Sequence, residues 1–62
     1  MPSQLDLVGL LEIADRLGVA HQTVRQWRRR GLLPAPSWVV SGVPIWEWTT
    51  IRTWAQTTGR AP

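Results

Sequence analysis

A chain of 62 residues with seven Arg, no Lys, four carboxylates and a formal net charge of +3 has room for one small domain. At this length roughly 60% of the unfolded surface is buried on folding, so a pocket enclosing a cofactor or small-molecule ligand is not expected. The absence of Cys excludes disulfides, thiolate catalysis and most structural zinc sites, and no apolar stretch approaches the ~20 residues of a membrane span.

Residues 1–8 carry a Pro and a Ser, show little pattern and read as a loose lead-in; Met1 to Asp6 lack the basic and apolar regions of a signal peptide. The domain proper is expected over 9–58. Leu10, Ile13, Ala14 and Leu17 recur at i, i+3, i+4 and i+7, which is one face of a helix. Gly9 suits its N-cap and Gly18 its left-handed stop. Glu12 and Arg16, four apart with the acid first, are expected to pair on its surface. Gly18-Val19-Ala20 leaves room only for a tight turn before a second helix over 21–30, with Val24 and Trp27 facing inward and Gly31 ending it. Two short helices across a Gly-containing turn are the helix-turn-helix arrangement.

Leu32-Leu33-Pro34-Ala35-Pro36 directs an extended exit. Ser37 to Val40 and Val43 to Trp46 are β-prone around a Ser41-Gly42 turn, which predicts a hairpin "wing" whose second strand Pro44 confines to an edge. A third helix fits from Glu47 or Trp48 to about Thr57, with Glu47 as its cap and Trp48, Ile51 and Ala55 in phase. Residues 59–62 read as a frayed tail. The fold class is therefore mainly α: a winged helix-turn-helix of three short helices plus a two-stranded β-hairpin. Of the five Trp, Trp27, Trp46 and Trp54 are expected in the core and Trp48 at its edge. Trp38 is expected to pack against the hairpin or Pro36.

The charge is concentrated, with Arg25, Arg28, Arg29 and Arg30 within six residues, and a local positive patch points to a polyanion, nucleic acid first. Gln22, Arg25, Gln26 and Arg29 are spaced i, i+3, i+4 and i+7, forming a stripe opposite Val24 and Trp27. Arg donates two bonds to guanine O6/N7 and Gln pairs with adenine N6/N7 in a groove that admits a helix. Gln22, Thr23, Arg25 and Gln26 are the candidates for base readout, and His21, Arg28, Arg29 and Arg30 for phosphates. Against this stands a plainer account, in which Arg at a helix C-terminus complements the dipole and stays solvated. The placement on the second helix of a helix-turn-helix favours DNA. His21 is the only His, no metal site is expected, and the carboxylates form no catalytic pair, so an enzyme is not expected.

Leu11-Glu12-Ile13-Ala14, Leu17-Gly18-Val19, Thr23-Val24-Arg25-Gln26-Trp27 and Gly31-Leu32-Leu33-Pro34 together resemble the winged helix-turn-helix of MerR-like regulators. Pro34-Ala35-Pro36, Gly42, Trp46 and Ile51-Arg52-Thr53-Trp54 extend the likeness to the small excisionase and AlpA-like proteins of phages and actinobacteria. The resemblance spans about Leu7 to Ala55. It implies a recognition helix in the major groove carrying Gln22, Thr23, Arg25 and Gln26, and a wing touching the neighbouring minor groove or backbone through Trp38, Ser41 and Gly42. The chain departs from the pattern in having Ala20 where a Ser cap is usual and no basic residue at the wing tip. It also ends after the third helix, so no inducer-binding function is expected.

The expected function is sequence-specific double-stranded DNA binding by a phage-type transcriptional regulator, in the cytoplasm and on the nucleoid when bound. An excisionase that bends attachment-site DNA and engages an integrase uses the same residues and stays open. So does a module of another class, binding a protein through the Trp-rich wing and third helix. A single module this small makes an interface of only ~600–1,000 Å², so a dimer or a head-to-tail array on DNA is expected.

Overall fold

The computed structural model describes residues 6–60. In chain order the elements are β1 (Leu7–Val8), α1 (Leu10–Leu17), α2 (His21–Arg29), β2 (Trp38–Val40), β3 (Val43–Glu47) and α3 (Trp48–Thr57). The three helices and the hairpin lie where the periodicity places them.

Helix α1 begins at Gly9, whose backbone N–H donates to the Glu12 carboxylate at 3.1 Å. That bond satisfies one of the donors a helix start leaves orphaned. At the other end Gly18 takes the left-handed conformation (φ 71°), and Val19 N–H donates back to Ala14 C=O at 3.0 Å. Ile13, Ala14 and Leu17 are buried on one face. The chain then turns at Val19 and Ala20 into α2. Its end repeats the same device: Gly31 is left-handed (φ 74°) and Leu32 N–H donates to Trp27 C=O at 2.8 Å.

The core comprises Val8, Ile13, Ala14, Leu17, Val24, Trp46, Ile51 and Ala55, drawn from all three helices and two strands. Trp46 is fully buried, and its indole N–H donates to Pro34 C=O at 2.8 Å. This bond ties the extended segment after α2 onto the sheet and leaves the buried indole satisfied. Trp27 and Trp54 are half-buried and meet edge to face, with centroids 5.5 Å apart. Trp48 is likewise half-buried at the margin of the core.

The sheet has three strands in the order β1-β3-β2, all antiparallel, where the sequence predicts two. Leu7 and Val8, read above as part of a loose lead-in, pair with Glu47 and Trp46, and Val8 is buried. Residues 1–5 of that lead-in lie outside the described residues. Strand β3 is consequently central rather than at an edge, and Pro44 is tolerated for a geometric reason. Val40 and Val43 flank the two-residue turn and so form a hydrogen-bonded pair, while Val39 and Pro44, the next pair, do not. The Pro44 nitrogen thus faces away from β2, and β1 reaches only Trp46 and Glu47 on that side. No ladder donor is lost.

Asp6 closes the sheet's end. Its carbonyl accepts from Trp48 N–H at 2.7 Å, and its carboxylate takes two bonds from the Arg16 guanidinium, at 2.6 and 3.0 Å. Arg16 also lies 5.1 Å from the centroid of the Trp48 ring. Arg16 therefore pairs with Asp6 and not with Glu12, which is engaged at the helix cap. The hydrogen bonds from Arg16 hold the Asp6 carboxyl below the usual carboxylate range.

Glu47 occupies the N-cap position of α3, but its side chain makes no capping bond. At the far end Gly59 is left-handed (φ 74°) and Arg60 N–H donates to Ala55 C=O at 2.7 Å. The Arg60 guanidinium sits 5.4 Å from the centroids of both Trp27 and Trp54. The segment expected to fray is thus anchored at least through Arg60; residues 61–62 lie outside the described residues.

Candidate nucleic-acid interface

Helix α2 is pinned by Val24, which is fully buried, and by half-buried Trp27. At 100° per residue these two fix the opposite side outward. On that side His21, Gln22, Arg25, Gln26 and Arg29 are all exposed and surround one shallow polar depression. Five of the residues predicted to touch DNA form a continuous hydrogen-bonding surface two turns long. Arg29 and Gln26 continue into a second depression shared with Arg30.

The remaining predicted residues are placed differently. Thr23 is half-buried and does not line the depression, so it stands beside the stripe. His21 belongs with the central set at the helix start, where the sequence groups it with the phosphate residues. Arg28 is on the opposite flank from Arg30, with its guanidinium 5.9 Å from the centroid of the Trp46 ring. That contact directs a long side chain along the body of the protein.

Among the described residues the one salt bridge is Asp6–Arg16. Among those residues Arg25, Arg28, Arg29 and Arg30 form no salt bridge, so their charge is available to an external anion. Arg28 and Arg29 lie in the last turn of α2 and Arg30 is its C-cap, so all three also complement the helix dipole. Dipole complementation accounts for those three; it gives no reason for Arg25, Gln22 and Gln26 in the earlier turns.

The wing ends in Ser41 (φ 52°) and Gly42 (φ 79°), both left-handed, as a type I′ turn requires. Its tip is exposed and offers a hydroxyl and backbone amides but no cation. Trp38 stands on the outer face of the sheet beside Leu7, Val40 and Ile45, apart from the tip. The sequence offers the Trp-rich wing as a protein-binding surface; the alternation Trp38, Val40 and Val43, Ile45 shows which of its faces is apolar.

A helix-turn-helix carrying an exposed Arg/Gln stripe on its second helix, followed by a β-hairpin, is the architecture of a DNA-binding domain. The chain belongs to the MerR helix-turn-helix family of regulatory proteins, whose family model matches residues 10–43, just over half of its length. The match runs from the first residue of α1 through α2, the extended segment and β2 to the start of β3. No curated protein and no solved structure shows significant similarity to the chain. The family is one of DNA-binding regulators, not of catalysts. None of the described helices is long and apolar enough to cross a membrane.

Proposed function

We propose that this chain is a sequence-specific double-stranded DNA-binding regulator of the small phage or prophage type, with α2 inserted in the major groove. The observation that carries the reading is the α2 stripe. Five exposed side chains of hydrogen-bonding type lie contiguous on one helix face, opposite the core and clear of any ion pair.

In this arrangement Arg25 and Gln26 read base edges near the centre of the contact, and Gln22 and His21 do so from the N-terminal turn. Arg29 lies at the end of the stripe, with Arg28 and Arg30 to either side, and the three hold phosphates. Thr23, half-buried, supports the first turn and contacts a phosphate instead of a base. The uncharged wing tip reaches the backbone through Ser41 and the amides of the turn, so it adds shape and little charge. Occupancy of a promoter is the regulatory output that such a module delivers.

The test is a titration of labelled duplexes at two salt concentrations, one of random sequence and one from the neighbourhood of the protein's own gene. Binding that weakens steeply with salt and is much tighter on the native duplex supports the reading. Absence of binding to both at low salt refutes it.

A further inference from the structure

The outer face of the sheet is apolar and open. Strand alternation puts Leu7 from β1, Trp38 and Val40 from β2, and Val43 and Ile45 from β3 on that face. Val8 and Trp46 point the other way, into the core. Leu7 is 44% exposed, Trp38 42%, Val40 58% and Val43 53%, and a groove runs between Leu7, Trp38, Val40 and Ile45. Glu47, opposite Leu7, is the single charged residue at the margin. Such a face is large for a chain of 62 residues, at on the order of 400 Å², within the range where a monomer's largest patch is often functional.

We propose that this face is a self-association surface, on which a second copy of the same chain packs sheet to sheet about a two-fold axis. Two considerations select a second copy. The first is charge. The protein carries a net +3 with its cations on other elements, and the face offers a nucleic acid no cation, its one charge being Glu47 at the margin. An apolar surface whose centre is uncharged is complementary to itself, which is what an isologous contact requires. The second is area. Two such faces bury up to about 800 Å² from these side chains, below the ~1,200 Å² of a standard interface and in the range of weak, transient association. A dimer with a dissociation constant in the micromolar range follows. Sheets that pack face to face lie ~10 Å apart, a spacing that suits Trp38 of one copy inserted between Val40 and Ile45 of the other.

Sedimentation equilibrium of the whole chain without DNA, from about 5 to 500 μM, tests this directly. Wild type is expected to shift from monomer to dimer across that range. Val40→Glu and Trp38→Glu place a charge in the contact and are expected to raise the dissociation constant at least ~30-fold, leaving the chain mostly monomeric across the range. Val39→Glu is the control: Val39 is 62% exposed on the same strand but points to the opposite face. It should leave the association intact. Far-ultraviolet circular dichroism checks that each variant is folded, and Val40→Glu, at a highly exposed position near the turn, remains informative if Trp38→Glu does not fold.

A monomer at every concentration overturns the proposal. Dimerisation unaffected by Val40→Glu, or abolished equally by Val39→Glu, overturns it as well. Because the readout contains no DNA, either failure leaves the DNA-binding reading standing.

Discussion

Arg25→Ala and Arg28→Ala separate base readout from charge on the same helix. Arg25 sits mid-stripe, makes no ion pair and touches no aromatic ring, so its removal leaves the free protein's packing untouched. Ala is also the better helix former, and the fold should not lose stability. If Arg25 donates two bonds to a guanine, its loss costs ~1–3 kcal/mol, a ~5- to 150-fold weaker complex. The loss is confined to sequences carrying that guanine. Arg28 is expected to behave in the opposite way. Each phosphate contact contributes a slope of about −0.9 in log affinity against log salt. Between 50 and 200 mM salt one contact is therefore worth ~3.5-fold, and three, as assigned to Arg28, Arg29 and Arg30, ~40-fold. Arg28→Ala should lower affinity for specific and random duplexes alike and flatten the salt dependence by about one contact. Fluorescence anisotropy on a base-substituted duplex series at four salt concentrations resolves both quantities. The reasoning is refuted if Arg25→Ala weakens every duplex by the same factor, or if Arg28→Ala changes base preference while the slope stays at its wild-type value.

Three further outcomes concern the fold. Trp46→Phe removes the indole donor to Pro34 C=O and part of a fully buried ring, and should cost ~1–3 kcal/mol in urea unfolding; an unchanged midpoint would show that the bond does not tie the linker down. Arg60→Ala removes the cation over Trp27 and Trp54. At ~0.5–1 kcal/mol for an exposed cation–π contact, the melting temperature should fall by about 2–8 °C, and no change would mean that Arg60 is a bystander. Asp6→Asn tests the ion pair through pH. The Asp6 pKa is lowered in the folded protein by Arg16, so its contribution is present above the unfolded carboxylate range and disappears as pH falls through the lower folded value. Wild type should exceed Asp6→Asn in melting temperature at neutral pH and converge with it only in acid, below the ordinary Asp range. A difference that persists at the lowest pH would rule out the carboxylate as its source.

The wing of this chain carries little charge. A hairpin whose tip is Ser41-Gly42 and whose outer side is Trp38, Val40, Val43 and Ile45 places its surface chemistry in apolar area instead of charge. Electrostatic attraction is left to α2 and its C-cap, whose four arginines form no salt bridge among the described residues. The division is consistent with one face of the molecule meeting DNA and a second meeting protein.

The candidate interface was legible in the sequence because a helix encodes its exposed face in local spacing. Gln22, Arg25, Gln26 and Arg29 recur with the helical period, and Val24 and Trp27 state which side is buried; no distant contact is needed to orient them. The same locality made α1, α3 and the Ser41-Gly42 turn readable, since caps, period and left-handed turn residues act within a few positions. Tertiary structure alone decided the rest. Two residues, Leu7 and Val8, carry too short a pattern to announce a strand, and they form one only because Trp46 and Glu47 present an open ladder some forty positions later. That pairing moved β3 to the centre, placed Pro44 where its missing N–H costs nothing, and brought Asp6 to Arg16 ahead of the nearer Glu12. Arg60, beyond the last helical residue, likewise found its place through two indoles from different helices. Spacing along the chain determines which side of an element is apolar; which element arrives against it depends on where the chain returns in space.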